Sequence, residues 1–101
     1  MDNRDYTRRG VTIQGRYRKG TGLPTDVVVS DLSVSGCQIV DRSHILDPKA
    51  FIMIRIGSIG PIEARVAWRS GQRVGLSFVD HLYPSVLDHM LHSIDNWRGS
   101  F

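Results

Sequence analysis

Residues 27–40, Val27-Val28-Val29-Ser30-Asp31-Leu32-Ser33-Val34-Ser35-Gly36-Cys37-Gln38-Ile39-Val40, read as two short apolar strands joined by a turn of small polar residues. The turn, Asp31 to Gly36, suits an anionic ligand. Gly36 lets the backbone come close, Ser33 and Ser35 offer hydroxyls, and successive N–H groups can point inward. Asp31 can accept two parallel N–H bonds, as from the Watson–Crick edge of a guanine. Ordinary β-turn chemistry uses the same residue types, so the stretch alone identifies a hairpin and not a function.

The same alternation recurs on both sides. Upstream, Val11, Ile13 and Tyr17 alternate with Thr12, Gln14 and Arg16, Gly15 keeping the phase; residues 18–24 follow as a loop. Asp26 to Ser30 is the second strand and Cys37 to Asp41 the third, with Cys37 and Ile39 on one face. After a connection halted by Asp47-Pro48, Phe51 to Ile56 puts Ile52, Ile54 and Ile56 opposite Phe51, Met53 and Arg55. Gly57 to Gly60 turns. From Pro61, Ile62, Ala64, Val66 and Trp68 alternate with Glu63, Arg65, Ala67 and Arg69, the cleanest period of two in the chain. Val74, Leu76 and Phe78 form the sixth strand, with Gly75 and Ser77 as small outward positions that a neighbour can approach. Six short strands whose edges need closing predict an all-β fold, a six-stranded antiparallel β-barrel.

At Pro84 the period changes. Leu87, Met90, Leu91, Ile94 and Trp97 fall at helical spacing, and Pro84 suits a first helical position. An amphipathic α-helix over 84–97, stopped by Gly99, is predicted to pack on the barrel.

A length of 101 residues fits one domain, and 41% hydrophobic with 23% charged residues fits a soluble globular one. No stretch is long enough to span a membrane, and the start of the chain lacks the apolar segment of a secretion signal. A cytoplasmic protein is expected. The single cysteine, Cys37, excludes an internal disulfide and a cysteine-based zinc site; its strand position marks a buried thiol. Charge is unevenly placed. Residues 1–19 carry six basic and two acidic side chains, while the remainder carries seven and eight. The positive field at one end predicts an anionic partner there. Eleven of the thirteen basic residues are arginine, whose planar fork suits phosphates and guanine edges.

That basic end contains Arg4-Asp5-Tyr6-Thr7-Arg8-Arg9. An Arg-x-x-x-Arg arm, then Asp-x-Ser-x-x-Gly between two strands, resembles the PilZ family, bacterial receptor domains for the second messenger cyclic di-GMP. The first motif is not specific by itself, since Arg65 to Arg69 matches it too. Order, spacing and strand context make the pair specific, and the resemblance extends through Val66-Ala67-Trp68 and Val74-Gly75-Leu76-Ser77-Phe78. It implies a single PilZ-like domain: an arm over 1–10, a barrel over 11–79 and a helix over 84–97. Arg4 and Arg8 match the arginines that grip ligand phosphates and stack on or bond to guanine. Asp31, Ser33 and Gly36 match the barrel-side motif, and Arg9 is a helper outside it. Many members carry another arginine directly before the first motif arginine; here that residue is Asn3, which bears on whether one ligand molecule or a self-stacked pair binds. With only three residues before Arg4, output is expected to reach a separate downstream protein or to run through self-association. No cofactor, DNA or RNA is expected.

The arm, Asp2 to Gly10, holds one large partly apolar side chain, Tyr6, and no periodic pattern. It is expected to be flexible until an anion sits among its arginines. Other chemistries fare worse. His89 and His92 lie three apart with Asp88 nearby, and His81 precedes them, but both helical histidines fall opposite the apolar stripe; no metal site is expected. No strand–turn–helix nucleophile elbow, forced carboxylate pair or phosphate loop before a helix is present, so an enzyme is not expected. Two alternatives remain. One is a small barrel binding single-stranded nucleic acid, which needs aromatic platforms along a basic groove; Tyr17, Phe51, Trp68 and Phe78 mostly occupy inward phases. The other is an adaptor that kept the fold without binding a nucleotide.

Overall fold

A computed structural model describes residues 9–43 and 45–99. The strands are β1 (Arg9–Arg18), β2 (Thr25–Leu32), β3 (Gly36–Val40), β4 (Phe51–Ile56), β5 (Ile59–Ser70) and β6 (Arg73–Phe78), followed by the helix α1 (Pro84–Gly99). All pairings are antiparallel, and the barrel closes in the order β1-β2-β3-β6-β5-β4. Closure is made by β4 against β1, where Tyr17 stands opposite Ile54 and Arg16 opposite Arg55. It joins the first strand to the fourth and so turns the sheet into a barrel.

Alternation puts the core where it was expected. Ile52, Ile54 and Ile56 are at most 2% exposed, while Phe51 on the other face is 56% exposed. Ile13, Tyr17, Val27, Val29, Cys37, Ile39, Val66, Val74, Leu76 and Phe78 join them inside. Each such aliphatic side chain contributes about 1.5–3 kcal/mol on burial. Burial also pushes the Cys37 thiol up to about 12.

Strand boundaries differ from the reading of the sequence at the ends. β1 begins at Arg9, two residues before Val11, so Arg9 and Gly10 belong to the sheet and not to the arm. β2 runs on through Leu32 and β3 starts at Gly36, which shortens the connection between them to residues 33–35. Ile59 and Gly60 are already in β5.

Trp68 departs further. A bulge between Val66 and Trp68 sets Val66 opposite Leu76 but Trp68 opposite Gly75. The extra residue shifts the phase, so Trp68 leaves the face of Ala64 and Val66 and lies outside over Gly75. A Cβ on Gly75 would collide with the indole Nε1. The close approach foreseen at Gly75 is therefore made by Trp68. Of the four aromatics expected mostly inside, Tyr17 and Phe78 are, whereas Phe51 and Trp68 lie on the outer wall.

One end of the barrel is pinned by Asp41, which is fully buried. Its Oδ1 accepts from Ser43 Oγ at 2.6 Å, Tyr17 Oη at 3.1 Å and the Ser43 N–H at 3.2 Å. Arg69 donates to Oδ2 at 3.2 Å, and also to the main-chain carbonyls of Asp41 and Leu46. Burial alone raises this carboxyl. The bonds from Ser43 and Arg69, then from the Ser43 main chain and Tyr17, outweigh it and hold the group below its ordinary 3.8. The network ties the β3–β4 connection over the core, where Leu46 is fully buried.

The opposite end receives α1. Leu82 N–H donates to Val34 O at 2.8 Å, which holds the approach to the helix against the β2–β3 turn. Met90 is buried, and Val86, Leu87 and Leu91 pack on the core. Asp88, His89 and His92 are exposed. The helix includes Gly99, two residues past the expected end. No helix among the described residues is long and apolar enough to cross a membrane.

Candidate ligand-binding site

Asp31 is the penultimate residue of β2, held in the ladder rather than in the turn. Its register partners are Gly10 on β1 and Gln38 on β3. The side chain is half-buried, and among the described residues its carboxylate has no hydrogen bond or ion pair. Opposite, Gly10 offers no bulk: no described residue lies within 4 Å of where its Cβ would stand. An acceptor that can take two N–H bonds thus stands on the outer wall with no partner among the described residues.

Beside it, Leu32 is fully buried and anchors the start of the turn. Ser33 N–H donates to Gly36 O at 2.9 Å, and Ser33 Oγ lies 3.3 Å from the same carbonyl. Ser33 Oγ accepts the Ser35 N–H at 3.3 Å and sits 3.2 Å from Ser35 Oγ. This is a serine side chain bonding its own backbone two residues on, a common way to set a tight connection. Two of the turn's N–H groups are therefore used within it, so the inward-pointing N–H cradle expected from the sequence is not what forms. Ser33, 3% exposed, shapes the turn; Ser35, half-buried, presents its hydroxyl nearer the surface.

Gly36 serves a different neighbour from the one expected. A Cβ there would collide with the Leu76 carbonyl oxygen, so the close approach seen at Gly36 is by β6. The turn's own carbonyls point the same way: Ser35 O accepts from Phe78 N–H at 2.9 Å, and Val34 O from Leu82 N–H.

The arm enters at this site. Arg9, the first residue of β1, is opposite Leu32, and Gly10 after it is opposite Asp31. Arg4 and Arg8 themselves lie outside the described residues. The second Arg-x-x-x-Arg match is divided by the fold. Arg65 is exposed on the outer wall, whereas Arg69 is engaged with Asp41 at the far end of the barrel. Sequence reasoning did not single out Gln38, although the ladder sets it directly beside Asp31. An amide in an apolar strand was the available signal.

The family model described as PilZ domain matches residues 2–94. No curated protein matches the sequence.

Proposed function

The chain belongs to the PilZ domain family, and from that premise we propose that it is a receptor for cyclic di-GMP that passes the signal to a partner protein. Asp31 takes the two N–H donors of a guanine edge, and the turn built by Ser33 and Gly36 supports the base and adjacent phosphate. Arg4, Arg8 and Arg9 supply charge-assisted bonds to phosphate and planar contacts to guanine. Ordering of the arm over the ligand is the signal: it converts a basic segment into a partly neutralised surface that a partner can distinguish. The protein acts by binding, without catalysis, in the bacterial cytoplasm. The observation that carries this reading is the Asp31 carboxylate, without a partner among the described residues and opposite Gly10, the second residue of β1.

Calorimetric titration with cyclic di-GMP tests it. Saturable binding is expected, and its stoichiometry distinguishes one molecule from a self-stacked pair. Absence of binding would overturn the proposal.

The outward Phe51 and Trp68 favour one other reading, a single nucleic-acid strand laid across the wall. Salt separates the two. A ligand with two phosphates lacks the condensed counterions of a polymer, so its affinity falls gently with salt, whereas oligonucleotide binding falls steeply. Tight, steeply salt-dependent oligonucleotide binding without dinucleotide binding would replace the receptor reading.

A further inference from the structure

Three polar side chains are buried among the described residues: Ser33, Gln38 and Asp41. Ser33 and Asp41 are accounted for by the turn and by the network at the far end. Gln38 is 7% exposed, yet its side-chain amide bonds to no described residue. No fully enclosed side-chain nitrogen or oxygen among the described residues lacks a partner, so the amide tip of Gln38 must reach the surface. The side chain is largely covered, and its amide tip is the part in touch with solvent.

The ladder says where. Cys37 and Ile39 point into the core, so Gln38 between them faces the outer wall. It stands between Asp31 on β2 and Gly75 on β6, with Trp68 covering Gly75 one strand beyond. Directly opposed residues of this kind have Cβ atoms about 4.5–5.5 Å apart. Carboxylate and amide therefore form a side-by-side pair of an acceptor and a donor.

Guanine presents the complement. Its edge carries two N–H donors and, beside them, the O6 acceptor, with N7 next to that. Building on the cyclic di-GMP reading, we propose that Gln38 is a specificity-determining residue that donates to O6 of the guanine whose N–H groups Asp31 accepts. The pair then reads three adjacent positions of one base. Adenine carries an amino group where guanine has O6, so the same pair disfavours it.

The test uses the full chain with cyclic di-GMP as the probe, following calorimetry and thermal unfolding in parallel. Gln38→Met keeps the length and removes the amide; affinity is expected to fall roughly three- to tenfold, the range for losing one neutral hydrogen bond. Gln38→Glu replaces the donor by an acceptor beside both O6 and Asp31, and should lose more. Wild-type affinity in folded Gln38→Met would overturn the inference while leaving the receptor reading intact. No binding by the wild type would instead refute the receptor reading, and this inference with it. Should the variants fail to fold, the side-chain amide resonance of Gln38 in the wild type decides. It must shift on titration, and an unmoved signal at saturation would sink the proposal.

Discussion

Arg69 grips Asp41 twice, donating to its carboxylate and to its main-chain carbonyl across 28 residues of sequence. The carboxylate is fully enclosed and the Arg69 side chain is 15% exposed. Removing one partner of such a pair leaves the other charge buried and unmatched, which costs about 3–5 kcal/mol. That is a large share of the margin of a small domain, about 5–15 kcal/mol.

Asp41→Ala and Arg69→Ala should each lower the midpoint of denaturant unfolding strongly, without altering ligand affinity in the protein that remains folded. Because the folded carboxyl lies below its ordinary 3.8, its contribution is complete above that value and is lost as pH falls through the lower folded value. Asp41→Asn should therefore flatten the acid limb of the stability profile. An unchanged acid limb would show that other carboxylates govern acid unfolding.

Gly36→Ala tests whether this glycine is kept for the strand or for the ligand. The added methyl meets the Leu76 carbonyl, so β6 must move or the turn must open. Overpacking of this kind costs about 1–3 kcal/mol. Thermal unfolding without any ligand should register it. Unchanged stability would return Gly36 to a purely ligand-facing role.

Asp31→Ala should behave in the opposite way. Its carboxylate has no partner among the described residues, so stability should barely change. Losing a charge-assisted contact weakens binding by about 1.5–3 kcal/mol, roughly ten- to a hundredfold. Arg8→Ala should match it in calorimetry with cyclic di-GMP. Retained affinity in both would remove these residues from the site.

The arm can be separated from the barrel. Since Arg9 and Gly10 pair with Leu32 and Asp31, a truncation that spares β1 must end at Arg8. Deleting residues 1–8 should leave the fold intact and abolish tight binding. NMR relaxation on residues 2–8 with and without cyclic di-GMP should show the arm becoming ordered on binding. Equal rigidity in both states would refute the switch even if binding is confirmed.

Much of this was legible in the linear chain. Period-two alternation located all six strands and set Ile52, Ile54 and Ile56 inward. The change to helical spacing at Pro84 located α1. The order of the two motifs pointed to the family. These are local signals, carried by residues a few positions apart, and burial of one face of a strand or helix is enough to write them into the sequence.

What the sequence by itself determined was therefore the element list, the inward faces and the residues that make up the motifs. The tertiary structure alone decided which partner each of those residues meets. The bulge that turns Trp68 outward exists only in the pairing of β5 with β6. The neighbour that requires glycine at position 36 is Leu76, forty residues away. Asp41 reads as a strand-end acid until Arg69 and Tyr17 close around it. Gln38 looks like a stray polar residue until the ladder sets it beside Asp31. In each case the deciding energy is a contact between residues far apart in the chain. Such contacts come into being when the barrel closes, and no local periodicity records them.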